Sequence, residues 1–343
     1  MALEPEIRNW HQPDIHADRR PFLMARHRVK SALRVWFEAE GFLEVECGAL
    51  QVSPGNETHL QAFATVYEGY EGARPFYLHT SPEFSCKKLL AAGETQIVDF
   101  ARVWRNGETG PLHSPEFTMV EWYRAGADLR AVMEDCTAMC RVAVDRLERS
   151  ELIWRDDVCD PHMEPEYLSL CEAFQRYTRI DLESVLEDRE AFAAAARAAG
   201  ISFSVDASWS DIFSAVLVSK VEHRLGQGRL TFLHSYPVCE AALARPQPDD
   251  PRFAERFELY ACGVELANGF GELTDPVEQR RRFEADMDLK EQIYGVRYPL
   301  DEQFLLALET MPDASGVALG FERLVMLSAG ARRIEDVIWT PFG

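Results

Sequence analysis

The feature that most constrains this chain is a pair of hairpins set between helical blocks. Residues 96–105 and 115–124 (PEFTMVEWYR) read as strands joined by the Gly/Pro-containing loop 106–114 (NGETGPLHS). Residues 256–268 (RFELYACGVELAN) read as a second, tighter hairpin turning at Cys262-Gly263. A strand that returns through a turn pairs antiparallel. Helices interleaved with hairpins, rather than with single parallel strands, predict an α+β domain: a mixed, mostly antiparallel sheet flanked by helices.

The remaining segments fit around that sheet. Residues 1–20, polar with Pro5 and Pro13, read as an extended lead-in, and residues 21–343 as one large domain. Phe22, Leu23, Val29, Leu33, Trp36 and Phe37 recur at helical spacing between Pro21 and Glu40. Gly41 ends that helix, and 42–46 (FLEVE) alternates like a strand. Thr80, Pro82 and Glu83 together spell a helix start with Thr80 as the cap. Residues 128–149 and 276–293 read as helices, 155–166 and 244–252 as loops (the latter mobile), 168–227 as a mostly helical insertion, and 229–236 as a strand. Val317–Gly320 reads as a strand entering a helix at 321–327.

Composition narrows the class. Of 343 residues, 47% are hydrophobic, enough for a full core. A net charge of −21 argues against a general binder of phosphate backbones. The eight cysteines include no CxxC pair; Cys136 and Cys140, four apart in a helical stretch with no following Cys or His pair at zinc spacing, read as small buried thiols, and scattered cysteines suit a reducing cytosol. No run of 18 apolar residues is present to span a membrane, and the N-terminus does not read as a signal peptide.

Three segments carry chemistry. On the first hairpin, Arg102 and Arg105 lie near one strand end, Glu108 and His113 in the loop, and Glu121 and Tyr123 on one face of the returning strand. Cations at one end and a carboxylate at the other suit a zwitterionic or phosphate-bearing ligand, although a solvated face has the same composition. On the second hairpin, Glu258 and Glu265 fall on opposite arms, with Asn268 and Glu272 beyond. Two close carboxylates repel unless a cation sits between them, and Mg²⁺ prefers oxygen donors. Finally, GVALGFERLVML (316–327) places Arg323 in the first turn of an apolar helix, with Gly316 and Gly320 expected to let a ligand approach the backbone. A capping or salt-bridging arginine has the same signature.

With these segments together, the chain resembles the catalytic domain of class II lysyl-tRNA synthetases. It resembles more closely their stand-alone paralogues that lysylate elongation factor P. The resemblance rests on GFLEVE (41–46), TSPEF (80–84), WRNGETGPLHSPEFTMVEWYR (104–124), RFELY (256–260), GVELANGFGELTD (263–275) and SGVALGFERLVML (315–327), and runs over residues 20–340. It implies the class II synthetase catalytic fold. Arg105 would grip the ATP α-phosphate and Arg323 the γ-phosphate, as the two catalytic residues. Asn106, Glu108, His113, Leu266 and Gly320 would contribute to the ATP site, and Phe117, otherwise read as a core aromatic, would stack on adenine. Glu258 and Glu265 would hold Mg²⁺, with Glu265 also at the ATP. Ser81, Glu83, Glu121, Tyr123, Asn268, Glu272 and Ala318 would form the amino-acid pocket, with Tyr123 and Glu272 nearest the distal ammonium; for Glu83 a helix-capping role is the competing reading. The chain departs from the pattern in three places. Cys47-Gly48 stands where motif 1 normally has proline, Gly107 precedes the loop acid Glu108, and Ser114 replaces an asparagine.

The resemblance further implies ATP-dependent activation of (R)-β-lysine or lysine as an adenylate, followed by transfer to a lysine ε-amino group of elongation factor P. Ala318, where lysyl-tRNA synthetases usually have glycine, is compatible with the β-amino acid. No anticodon-binding domain is expected, so tRNA is not the expected acceptor. A homodimer with residues 22–47 at its interface is expected. A minimal lysyl-tRNA synthetase and an inactive regulatory paralogue are the alternatives.

Overall fold

A computed structural model of the chain describes residues 9–70 and 72–342. The reading of residues 1–8 as lead-in lies outside the described residues. Helix α1 (Pro13–Ala39) leads into β1 (Leu43–Val45) and a small sheet of β2 (Leu50–Gln51), β3 (Phe63–Gly69) and β4 (Gly72–Leu78). Helix α2 (Glu83–Ala91) precedes the first long hairpin, β5 (Gln96–Trp104) and β6 (Glu116–Ala125), and α3 (Leu129–Arg146) follows it. Next come β7 (Leu152–Trp154), β8 (Asp157–Asp160), β9 (Glu166–Ser169), α4 (Leu170–Thr178), α5 (Arg189–Ala198), α6 (Trp209–Val216), β10 (Gly228–Arg229) and β11 (Thr231–Pro237). The second hairpin, β12 (Phe253–Ala261) and β13 (Val264–Gly271), is followed by α7 (Pro276–Tyr294), α8 (Glu302–Leu308), β14 (Ala314–Gly320) and α9 (Phe321–Ala329).

The α+β expectation holds. One eight-stranded sheet runs β1-β5-β6-β14-β13-β12-β11-β9. Only its outer pairs, β1 with β5 and β9 with β11, are parallel; every pairing between them is antiparallel. The two hairpins meet through β14, which pairs with both β6 and β13 and so sets the site residues of three sequence segments on adjacent strands. The turn of the second hairpin is Cys262-Gly263, with φ of 54° and 69°, as a two-residue turn matched to strand twist requires.

The main core lies between this sheet and α1, α3 and α9, built around Phe37, Trp122, Met139, Phe257 and Phe321. A second core forms among α4, α5 and α6, where Phe174 and Trp209 both stack on Phe213.

Four local expectations need correction. First, α1 begins at Pro13 rather than Pro21, which lies inside the helix. Pro13 sits where a missing N–H costs nothing. The added turns bury Arg19, whose Nη2 donates to the carbonyl of Glu335 at 2.8 Å. Second, Thr80 does not cap α2. Its hydroxyl donates to the Pro54 carbonyl at 2.8 Å, while the Ser81 hydroxyl accepts from the Glu83 N–H at 3.0 Å. Third, the loop read at 155–166 contains β8 and the start of β9. Fourth, the β2–β4 sheet and α8 carry no signal that the sequence reading used.

Candidate active site

A cleft of about 590 Å³ opens over β6, β13 and β14. Most of the residues named from sequence line it: Ser81, Glu83, Arg105, Glu108, His113 and Phe117 from the first part of the chain, and Glu258, Glu265, Leu266, Asn268, Ala318, Gly320 and Arg323 from the second. Glu121, Tyr123 and Glu272 lie behind its wall, each at most 2% exposed. Arg102 faces elsewhere, pairing with Glu116 at 2.8 Å on the outer side of β5. Asn106 is fixed through its backbone, its N–H donating to the Gln61 carbonyl at 2.7 Å.

At the open end, the two arginines approach from opposite sides. Arg105 leaves the end of β5 with its guanidinium 5.4 Å from the centre of the Phe117 ring and 4.0 Å from Glu108. Arg323 sits in the first turn of α9. It donates to the Glu265 carbonyl at 2.8 Å and to the Glu265 carboxylate at 3.3 Å, and its Nη2 is 2.9 Å from His113 Nε2. Burial and the Arg323 charge hold His113 below the usual histidine range, so the ring is neutral and accepts that hydrogen bond. Gly320 leaves the helix entrance open: an added Cβ would meet nothing closer than Arg323 Cδ at 3.6 Å. Gly316 does something other than expected. A Cβ there would lie 2.3 Å from the Tyr123 ring and 2.5 Å from Glu272 Oε1, so this glycine makes room for the protein's own side chains and not for a ligand.

The second hairpin places Glu258 and Glu265 on the cleft wall, but each is already engaged. Glu258 accepts from Arg256 at 2.5 Å and from the Tyr260 hydroxyl at 2.6 Å. Burial pushes Glu258 up, Arg256 opposes this, and Glu265 adds to it. Glu222, from the end of the insertion, is pushed up to about 7 by burial and by these two neighbours. Glu222, Glu258 and Glu265 thus bring hard oxygen donors into one neighbourhood, a donor type that fits Mg²⁺. Among the described residues, the one group of three side chains whose donor atoms converge within 4.8 Å is elsewhere: Cys47, Cys86 and Asp99, beneath α2. Cys136 and Cys140 are buried in the core, as expected.

The closed end is a dry ionic floor. The Tyr123 hydroxyl donates to Glu121 at 2.5 Å, and the Ser81 hydroxyl donates to its other oxygen at 2.7 Å. Lys87, fully buried on α2, reaches Glu83 at 2.5 Å and Glu272 at 2.6 Å. Burial alone would lower the Lys87 proton affinity, but Glu272 and Glu83 outweigh it and hold the ammonium above the usual lysine range. Burial, and then Glu83, push Glu121 up to about 8. Burial pushes Glu272 up to about 7 against the pull of Lys87. Glu83 is therefore the first residue of α2 and an ion-pair partner four residues before Lys87, not a cap.

Sequence reasoning missed Lys87, Arg256 and Glu222. Two of them had a signal. Lys87 lies one helical turn after Glu83, and Arg256 alternates onto the same strand face as Glu258, where its Nε donates to Asn268 at 3.3 Å. Glu222 had none, because the strand it faces is more than 30 residues away in sequence.

A mostly antiparallel sheet bearing two cleft arginines, one at a hairpin strand's end and one at a helix start, is the catalytic architecture of class II synthetases. The sequence matches the family of class II tRNA synthetases (D, K and N) over residues 12–342, and the chain belongs to that family. It is 38% identical over 324 residues to the elongation factor P–(R)-β-lysine ligase of Proteus mirabilis, covering 93% of this chain and 94% of the relative. Proteins of the same name from Haemophilus ducreyi and Sodalis glossinidius are 37% and 38% identical over 319 residues, covering 92% of this chain and 92% and 93% of the relatives.

Proposed function

We propose that this chain is a carbon–nitrogen ligase that activates (R)-β-lysine or lysine with ATP and transfers the aminoacyl group to a lysine ε-amino group of elongation factor P. The observation that carries this reading is the charge balance of the closed end. Three buried carboxyls, Glu83, Glu121 and Glu272, stand around one resident cation, and burial raises the proton affinity of Glu121 to about 8 and of Glu272 to about 7. Glu83 and Glu272 share the single ammonium of Lys87. The carboxyls outnumber the one ammonium, and the distal ammonium of a diamino acid adds a second cation to them. A neutral side chain would leave a carboxylate buried without a full partner, which is costly.

The chemistry follows from the two ends. With its ammonium group on the floor, the diamino acid presents its carboxylate toward Arg105. That carboxylate is ionised at neutral pH, so no general base is needed. It attacks the α-phosphorus of ATP in line, the new acyl–phosphate bond forms, and the bond to pyrophosphate breaks. Arg105 neutralises the α-phosphate, and Arg323 from α9 the terminal phosphate. Such preoriented charges are the main source of rate in phosphoryl-centred transfers. Mg²⁺, which Glu258 and Glu265 would hold, supplies further neutralisation of the phosphates when bound. The incoming lysine amine of elongation factor P then displaces AMP from the acyl carbon and loses a proton to solvent.

Homodimerisation belongs to the same reading. Val35 on α1, Leu43 on β1, and Leu50, Val52, Val66 and Tyr67 around the β2–β4 sheet are exposed apolar residues from one stretch of chain, and β1 is a free sheet edge. A cytoplasmic location is also proposed. Among the described residues no helix is long and apolar enough to cross a membrane.

Intact-mass analysis of elongation factor P incubated with the protein, ATP and each lysine isomer tests the reading. A mass increase of one aminoacyl group is expected with a diamino acid. Charging of purified tRNA with no change in the factor would transfer the assignment to a minimal lysyl-tRNA synthetase.

A further inference from the structure

One carboxylate of the cleft has no assignment so far. Glu57 lies in the segment between β2 and β3 and lines the cleft beside Glu83. Its Oε2 is buried and has no hydrogen-bond partner. The other carboxylates at this end are engaged: Glu83 and Glu272 by Lys87, and Glu121 by Ser81 and Tyr123.

The surrounding structure holds Glu57 in place. Lys290, fully buried on α7, donates to the carbonyls of Glu57 at 3.0 Å, Thr58 at 2.9 Å and Leu60 at 2.5 Å, pinning the backbone of the segment. Thr58 adds a hydrogen bond to Asp286 at 3.1 Å. Gly55 leaves space for the side chain. A Cβ at that position would lie 2.6 Å from Glu57 Oε2 and 3.1 Å from Thr80 Oγ1, and its φ of +124° favours glycine. The segment is therefore built to present a carboxylate to the cleft. Burial and then Glu83 raise the proton affinity of Glu57, while its own backbone N–H, donating to the carboxylate, and Arg105 lower it. Glu83 of the floor and Arg105 both lie near enough to act on its charge, and all three line the cleft, so Glu57 adjoins the place where the proposed pose puts the carboxyl end of the amino acid.

We infer that Glu57 binds the ammonium group nearest the reacting carboxyl of the diamino acid, while the Lys87-linked floor binds the distal one. This rests on the diamino-acid reading above. Two recognition points for two ammonium groups give the pocket a ruler: a ligand must carry both charges at the right separation to satisfy both. An unpartnered buried carboxylate oxygen has a strong demand for a charged donor, and a ligand lacking one leaves that demand unmet.

The test uses the full-length protein in ATP–pyrophosphate exchange with three ligands: the diamino acid that supports exchange, 6-aminohexanoate, which lacks the proximal amine, and 3-aminohexanoate or norleucine, which lacks the distal one. In the wild type, loss of either amine should cost about 10- to 100-fold in kcat/KM, the scale of one charge-assisted hydrogen bond. In Glu57→Gln the penalty for losing the proximal amine should largely vanish. The penalty for losing the distal amine and the KM for ATP should stay as they are. A merely structural role would lower all activities together and leave both penalties unchanged, and that result overturns the assignment. Glu57→Asp provides a second measurement should the Gln variant not fold. It withdraws the carboxylate by one methylene and should shrink the proximal penalty alone; an unchanged ratio overturns the inference. Absence of any diamino-acid-dependent exchange in the wild type would instead overturn the underlying reading.

Discussion

The two ends of the cleft treat charge in opposite ways. At the open end, Arg105, Glu108, His113, Glu265 and Arg323 remain partly exposed, and the arginine–carboxylate contacts are long: 4.0 Å from Arg105 to Glu108 and 3.3 Å from Arg323 to the Glu265 carboxylate. At the closed end, Glu83, Glu121, Glu272 and Lys87 are buried with contacts of 2.5 to 2.7 Å. Water screens the first set, so those side chains can exchange partners for a phosphate at small cost. The second set has no water to fall back on, so every charge there needs a counter-charge and the net count selects the guest. In the proposed function, one end binds by supplying accessible cations and the other by its excess of carboxyls.

The comparison makes predictions of decreasing size. Lys87→Met should produce the largest effect, because it leaves Glu83 and Glu272 facing each other in a dry site. A loss of about 3–5 kcal/mol in unfolding free energy is expected from denaturant titration, together with loss of diamino-acid-dependent exchange. A small stability change would break the contrast between the two ends. Arg323→Ala, at the open end, should cut adenylate formation by at least ~100-fold with little change in stability. Wild-type exchange would remove Arg323 from phosphate binding.

The third prediction concerns pH. Glu272 at about 7 and Glu121 at about 8 titrate above the ordinary glutamate value of 4.5. A carboxyl raised on folding contributes stability that is full below pH 4.5 and is lost as pH rises through 7 to 8. The apo protein should therefore lose melting temperature as pH rises from about 4.5 to the 7 to 8 of these two groups, and level off above them. The slope is bounded at about 1.4 kcal/mol per pH unit for each proton. The decline should be shallower in Glu121→Gln, and an identical slope in the two proteins would contradict the raised proton affinity of Glu121. The smallest effect belongs to Arg102→Ala. Its pair with Glu116 is exposed on both sides, so stability should move by less than ~1 kcal/mol and exchange should not change.

Much of this was legible in advance, and the boundary of what was legible has a physical cause. The hairpins declared themselves through strand alternation and turn residues, and β14 entering α9 through its glycines and apolar run. The motif residues of the open end, Arg105, His113 and Arg323, which the resemblance singled out, line the cleft. Local rules were less secure where two of them competed. Thr80 satisfied the pattern of a helix cap, yet the Pro54 carbonyl took its hydroxyl. Pro21 looked like a helix start, yet Pro13 serves that role and the longer helix gains burial against residues 335–338.

The sequence alone therefore determined the α+β class, the two hairpins and the side chains that face solvent-filled space, because those depend on periodicity and on chemistry within a few residues. The tertiary structure decided the partners. Lys87 meeting Glu272, Glu222 meeting Glu258 and Glu265, Gly316 yielding to Tyr123, and Glu57 Oε2 buried beside Glu83 without a hydrogen-bond partner all depend on segments far apart in the chain. Whether a buried charge is paired or waiting depends on which distant residue packs beside it, and packing at that range is settled only when the whole sheet closes.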